Sequence, residues 1–279
     1  MRFLILPLFA LMGILAFAPP AKAADTDILL TVLARDGEFV GSPVGGAQVI
    51  IRDRRTGDII ANGTTAGDMG DRKVLMSGSH ARDAALLSEG SARLEFTLDI
   101  MEPLPVTISA TGPVGQLQST VTTSMDTILI PGQDYSSGNG IMLELPGMSV
   151  DVLNPPANTV VPYSPDTPIT VLANVMKLSG SEVEAGSPWP PERYTVAAHV
   201  YKDLLFITSA PMRYADAPGQ FVANLKLPRA GTYRFVVTAF DAKTKEAGMD
   251  ATTVTLTEPP GQSAAPAAAP APAVPAPKK

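Results

Sequence analysis

Two histidines, His80 and His199, are the only imidazoles in this 279-residue chain, and their separation matches no His-pair metal motif. The sequence contains no HExxH zinc motif, no GxSxG nucleophile elbow and no phosphate-cradling GxxxxGK[ST] loop. It contains no cysteine. Thiolate nucleophiles, disulfides and cysteine-ligated zinc are therefore excluded. His199 lies in Ala197-Ala198-His199-Val200-Tyr201, a strand pattern, and is assigned a structural hydrogen bond. An acid–base role for either histidine requires Ser, His and Asp residues distant in sequence to meet in one cleft, which keeps an uncharacterised hydrolase as an alternative.

Hard-ligand and soft-ligand metal chemistry each have one candidate. Asp53, Asp58, Asp68 and Asp71 supply carboxylates of the kind that bind calcium. Arg54, Arg55, Arg72 and Lys73 interleave with them, so solvated turns with ion pairs are the reading adopted. Met76 and His80 have the ligand types of a copper site. No recurring Met/His pattern completes such a site, and Met76 is taken as a core residue at a strand or boundary. The expectation is no catalytic residue, no cofactor and no metal.

The best candidate for contact with a partner is Gly186-Ser187-Pro188-Trp189-Pro190-Pro191-Glu192-Arg193-Tyr194. Trp189 is the only tryptophan, and the flanking prolines limit its backbone freedom. An exposed ring so held binds at little ordering cost. The candidate contact residues are Trp189, Arg193 and Tyr194. The alternative is that Trp189 caps a core from its loop. Phe206, Met212 and Tyr214 join such a surface only if the fold gathers the loops.

The elements that position these residues read as strands. Ile28–Ala34, Ala47–Asp53, Ala92–Ile100, Pro105–Gly112 and Ser119–Ile130 form one β-rich series. Leu94, Phe96, Leu98 and Ile100 alternate with Glu95, Thr97 and Asp99, the period of two of a half-buried sheet. Met148–Asn154, Ile169–Leu178, Tyr194–Asp203, Leu204–Ala210, Gly219–Leu227, Thr232–Asp241 and Ala251–Glu258 form a second series. In the penultimate run, Tyr233, Phe235, Val237 and Ala239 form the core face. Phe240 then belongs to an edge or to a contact between modules. Ser77–Ser88 is an irregular crossing, with room for a short helix around Ala81–Leu87.

The termini differ from this pattern. Arg2, an apolar run from Phe3 to Ala18, and Ala21-Lys22-Ala23 follow the order of a secretory signal peptide. The run is shorter than a comfortable bilayer span, and no other segment is long and apolar enough for one. Without Arg2 and Lys22 the formal charge becomes 19 minus 27, or −8. That balance gives no reason to expect nucleic acid as a partner. Of the 21 residues from Pro259 to Lys279, 15 are Pro or Ala. Such a tail has little to bury and reaches about 65 Å if fully polyproline II.

Gly46–Asp71 resembles a carboxypeptidase-regulatory-like or prealbumin-like β-sandwich repeat. The resemblance rests on Ala47, Val49, Asp53, Thr56-Gly57, Ile59-Ile60, Gly63-Thr64-Thr65 and Gly67 to Gly70. It implies strand, tight Thr-Gly turn, strand and second turn, in a noncatalytic module of an envelope or secreted protein. Asp71-Arg72-Lys73 stands where that family often has an aromatic strand. Gly57 and Gly63 are expected at positive φ. Pro228-Arg229-Ala230-Gly231-Thr232-Tyr233 resembles the start of a late strand in an immunoglobulin-like or fibronectin-like module, with Tyr233 reaching backbone through its hydroxyl.

The chain is therefore read as all-β: two tandem Ig-like/prealbumin-like β-sandwich domains and a disordered Pro/Ala-rich C-terminal tail. The expected divisions are a signal peptide at 1–23, domains at 24–138 and 139–258, and the tail at 259–279. The expected function is a noncatalytic binding or assembly module of the cell envelope, in the periplasm or secreted, with an envelope protein as partner. A soluble carrier of a small ligand or metal is the second reading.

Overall fold

A computed structural model describes residues 24–77, 84–215 and 217–258. The expected signal peptide, the tail and His80 lie outside the described residues.

Two β-sandwiches follow one another. In the first, β1 (Ala24–Ala34) lies between β4 (Leu94–Ile100) and β7 (Ile141–Leu145). The facing sheet has the order β3 (Ile59–Thr64), β2 (Gln48–Asp53), β5 (Leu104–Gly112), β6 (Val121–Leu129). Ile28, Leu30 and Val32 from one sheet meet Val49, Ile51, Val106 and Ile108 from the other in one buried cluster. The alternation along Leu94–Ile100 holds, with Glu95, Thr97 and Asp99 facing water.

The second sandwich pairs a four-stranded sheet with a five-stranded one. The smaller runs β13 (Arg213–Tyr214), β14 (Gln220–Leu225), β10 (Ile169–Lys177), β8 (Met148–Asn154). The larger runs β12 (Leu205–Pro211), β11 (Tyr194–Lys202), β15 (Gly231–Asp241), β16 (Ala247–Thr257), β9 (Thr159–Pro162). Tyr233, Phe235, Val237 and Ala239 are buried, as their alternation requires. Phe240 is exposed on the outer face. The Tyr233 hydroxyl donates to the Arg229 carbonyl at 2.7 Å.

Strand β7 pairs parallel with β1, from Leu30↔Ile141 to Ala34↔Leu145, and Leu145 is buried in the first core. Met148 opens the second core. The first core thus reaches Leu145, and the second begins at Met148. The turn-rich segment 131–140 brings the chain round before β7 runs beside β1.

No helix forms over 84–87. The backbone N–H groups of Leu86 and Leu87 donate to Asn139 Oδ1, whose amide nitrogen donates to the Ala84 carbonyl. The one short α-helix among the described residues, α1 (Arg72–Leu75), comes earlier and is capped by the Asp71 side chain.

Gly57 has a φ of 82°, but Gly63 is ordinary strand. A Cβ at Gly63 would lie 2.8 Å from Leu94 Cδ1, so the missing side chain makes room between the sheets. The strand, Thr-Gly turn and strand implied by the family resemblance are present as β2 and β3.

Candidate functional site

The Trp189 loop folds inward. Pro188, Pro190 and Pro191 restrict the backbone, and Pro191–Arg193 forms a single 3₁₀ turn. The indole is 1% exposed, and its Nε1–H donates to the Asp36 carbonyl of the first module at 2.7 Å. The Arg72 guanidinium lies 5.3 Å above the ring centroid, a cation–π distance. Arg72 also pairs with buried Glu38 at 2.9 Å, and Glu38 accepts from the Ser181 hydroxyl of the second module.

Arg193 extends the same junction. It pairs with Asp36 of the first module and with buried Asp241 of the second. Tyr194 is buried in the second core, and its hydroxyl has no hydrogen-bond partner among the described residues. Burial pushes its phenol above the usual tyrosine range, although the Arg193 charge opposes this. Of the two readings of this loop, the ring takes the one in which Trp189 caps a core, and Trp189, Arg193 and Tyr194 form no outward surface. An indole with a carbonyl acceptor and a cation over its face is more stable between modules than in water.

A second layer reinforces the junction. Lys177 Nζ donates to Glu246 at 2.6 Å, with side-chain exposures of 0% and 1%. Glu246 also accepts from the Gly147 N–H at 3.0 Å and from the Thr244 hydroxyl at 3.1 Å. Leu178, at the end of β10, is buried in the first module's core. The half-buried Met76 packs against the second module's core as well as beside Phe39 and Leu75. Its role is packing between modules.

Burial opposes ionisation of Asp241, but the Arg193 guanidinium and the Thr244 hydroxyl outweigh it and hold the carboxyl well below its usual range. A depressed folded-state pKa adds stability above the unfolded value of about 3.9 and loses it as pH falls toward the folded value. Stability is therefore expected to fall steeply below about pH 4. Asp241→Asn should flatten that part of a urea-denaturation pH series, besides lowering stability at neutral pH.

The other candidates have structural partners. Asp53 pairs with Arg55 at 3.1 Å, and Asp71 caps α1. His199 Nε2 and the Thr238 hydroxyl are 3.0 Å apart. Met212 is buried, and Tyr214 stacks edge-on against Phe221. Among the described residues, no group of three His, Cys, Asp or Glu side chains is placed to hold a metal ion.

The face left open lies elsewhere, on the outer side of the five-stranded sheet. Asp203 and Leu204 of the β11–β12 hairpin, with Tyr201, Arg234, Val236 and Met249 among others, line a groove of about 640 Å³. The β11–β12 hairpin forms its rim. Lys202 pairs with Leu205, leaving Asp203-Leu204 as a two-residue loop with φ of 51° and 65°. Tight hairpin turns with two left-handed residues strongly favour Asn-Gly or Asp-Gly, because a side chain there crowds the backbone. Leu204 occupies the second of these positions and is 92% exposed. Leu205 and Phe206 beside it are also exposed, Phe206 meeting Tyr201 edge-on at 5.7 Å. Leu204–Ala210 reads as a strand in sequence, but only the loop's left-handed backbone marks Leu204 as unusual.

No family model matches the chain, and no curated protein sequence matches it. Among solved structures it is similar to an engineered protein, at 17% identity and a TM-score of 0.30, over 46% of this chain and 24% of that one. The chain thus spans about a quarter of that protein's length. It is also similar to fibronectin(III)-like modules of Clostridium thermocellum CbhA, at 13% identity and a TM-score of 0.28, over 85% and 91% of the two chains. A tandem pair of titin Ig domains matches at 12% identity and a TM-score of 0.23, over 85% and 98%. No helix among the described residues is long and apolar enough to cross a membrane.

Proposed function

We propose that this protein is an exported, noncatalytic binding or assembly module of the cell envelope, in the periplasm or secreted. Its contact surface is the outer face of the five-stranded sheet with the β11–β12 hairpin. The carrying observation is Leu204, an almost fully exposed leucine in a left-handed turn position. Backbone conformations that cost energy concentrate where function requires them. Exposed apolar groups gathered on one face, here Leu204, Phe206 and Met249, are the usual sign of an interaction site.

The junction and the terminal segments fit this reading. The Arg193–Asp36 ion pair and the Trp189 indole cross between the modules, so the contact face is presented on a fixed support. The first 23 residues supply the address, and the Pro/Ala-rich tail supplies reach. Affinity capture from an envelope fraction tests the proposal. The chain from Ala24 should recover a specific envelope protein, Leu204→Asn should lose it, and removal of 259–279 should alter recovery only through reach. Equal recovery by Leu204→Asn would refute the assignment of this face.

The groove's size also suits a small-ligand carrier, since ligand pockets commonly span about 300–1,000 Å³. Native mass spectrometry of the purified chain would then retain an additional mass that Leu204→Asn or Arg234→Ala releases.

A further inference from the structure

The exposed face of the five-stranded sheet contains both halves of one contact. The groove is apolar around Val236 and Met249, and Arg234 lines it. Arg234 makes no ion pair among the described residues, although the other cations at this rim are engaged. Lys202 is bonded to Asp203 and lies over the Tyr233 ring. The hairpin forms one wall of the same groove. Its tip places a largely exposed carboxylate, Asp203, next to an exposed leucine, Leu204. Asp203 and Leu204 themselves wall the groove, so one face carries an exposed carboxylate, an exposed leucine and an arginine without an ion pair among the described residues. A surface that holds a knob and its matching hole side by side is self-complementary under a two-fold axis.

We infer that this face is an interface between two copies of the chain. Leu204 of each copy sits in the groove of the other, and Asp203 of each faces Arg234 across the axis. This rests on the reading of the face as a contact surface and names its occupant. Complementary charge flanking an apolar anchor sets the register of such a pair, while the anchor supplies most of the affinity. The choice of leucine at the turn has the same explanation. Asn or Gly would relieve the backbone there, but neither fills a hydrophobic groove.

The left-handed position also gives a clean test, because Leu204→Asn suits the turn better than the native residue and should leave folding intact. Sedimentation equilibrium of the chain from Ala24, which contains every described element, should show a monomer–dimer equilibrium. Leu204→Asn should weaken the dimer at least about 30-fold, as expected for a central anchor, with an unchanged melting temperature. Asp203→Arg and Arg234→Asp should each weaken it about tenfold or more by placing like charges across the axis. The two together should restore association. A monomer at about 100 μM, or a dimer indifferent to Leu204→Asn, would overturn the inference. A monomer that still captures an envelope protein through Leu204 would overturn it too, leaving the proposed function standing. A Leu204-dependent dimer with no such capture would support it and count against the envelope-partner reading.

Discussion

Replacing Lys177 by alanine is expected to cost about 3–5 kcal/mol, because it leaves the Glu246 carboxylate buried without its cation. The pair is fully enclosed, so water cannot take over the lost contact. Glu246 retains the Gly147 N–H and the Thr244 hydroxyl, which place the loss toward the lower part of that range. Lys177→Met combined with Glu246→Gln should recover most of the stability. Removing both charges avoids the penalty of a lone buried ion, and a glutamine carbonyl can still accept from Gly147. Urea denaturation of the two single variants and the double variant measures the coupling directly. Additive losses would mean that the ion pair contributes nothing as a pair. The same network meets the Gly147 N–H, so the single variants should weaken the junction as well as the second module.

Trp189→Ala is the second large effect, expected at about 3–5 kcal/mol for a fully buried tryptophan. Its consequence differs in kind. The indole joins the second module's core to the Asp36 carbonyl and lies under Arg72 of the first module. Its loss should turn one cooperative unfolding transition into two, because modules that no longer share a core unfold separately. Differential scanning calorimetry reads this as a split endotherm. Trp189→Phe should keep much of the packing while leaving the Asp36 carbonyl without its donor, and should therefore fall between wild type and alanine. A single transition for Trp189→Ala, shifted no further than for an exposed-site variant, would contradict the placement of the ring.

These two variants separate junction from contact face. Neither residue lines the groove, whereas Leu204 and Arg234 do. Loss of partner recovery with an unchanged melting temperature is the expected signature at Leu204. Loss of stability is the expected signature at Lys177 and Trp189.

Local pattern determined much of this protein. Alternation placed Leu94–Ile100 and Tyr233–Ala239 in their sheets with the correct faces inward, because side chains of a strand point alternately to its two sides. Turn chemistry located the Thr56-Gly57 turn and the Tyr233 corner for the same local reason. Composition alone excluded cysteine chemistry. Strands β9 and β13 escaped notice because they are short and their pairing comes from distant segments, β9 lying parallel to β16.

Only tertiary structure decided which residues remained free. Trp189 looked like a rigid exposed anchor, and its prolines do fix the loop, but the acceptor that draws the ring inward belongs to Asp36, 153 positions away. Lys177 and Glu246 had no visible relation, since burial of a charge depends on a partner 69 positions away. Leu204 read as one apolar residue in a strand-like run. Its exposure follows from a two-residue turn whose register is set by Lys202↔Leu205 and by the sheet beneath. Faces, turns and the absence of thiol chemistry are properties of neighbouring residues. The junction and the open groove are properties of pairs that folding alone brings together.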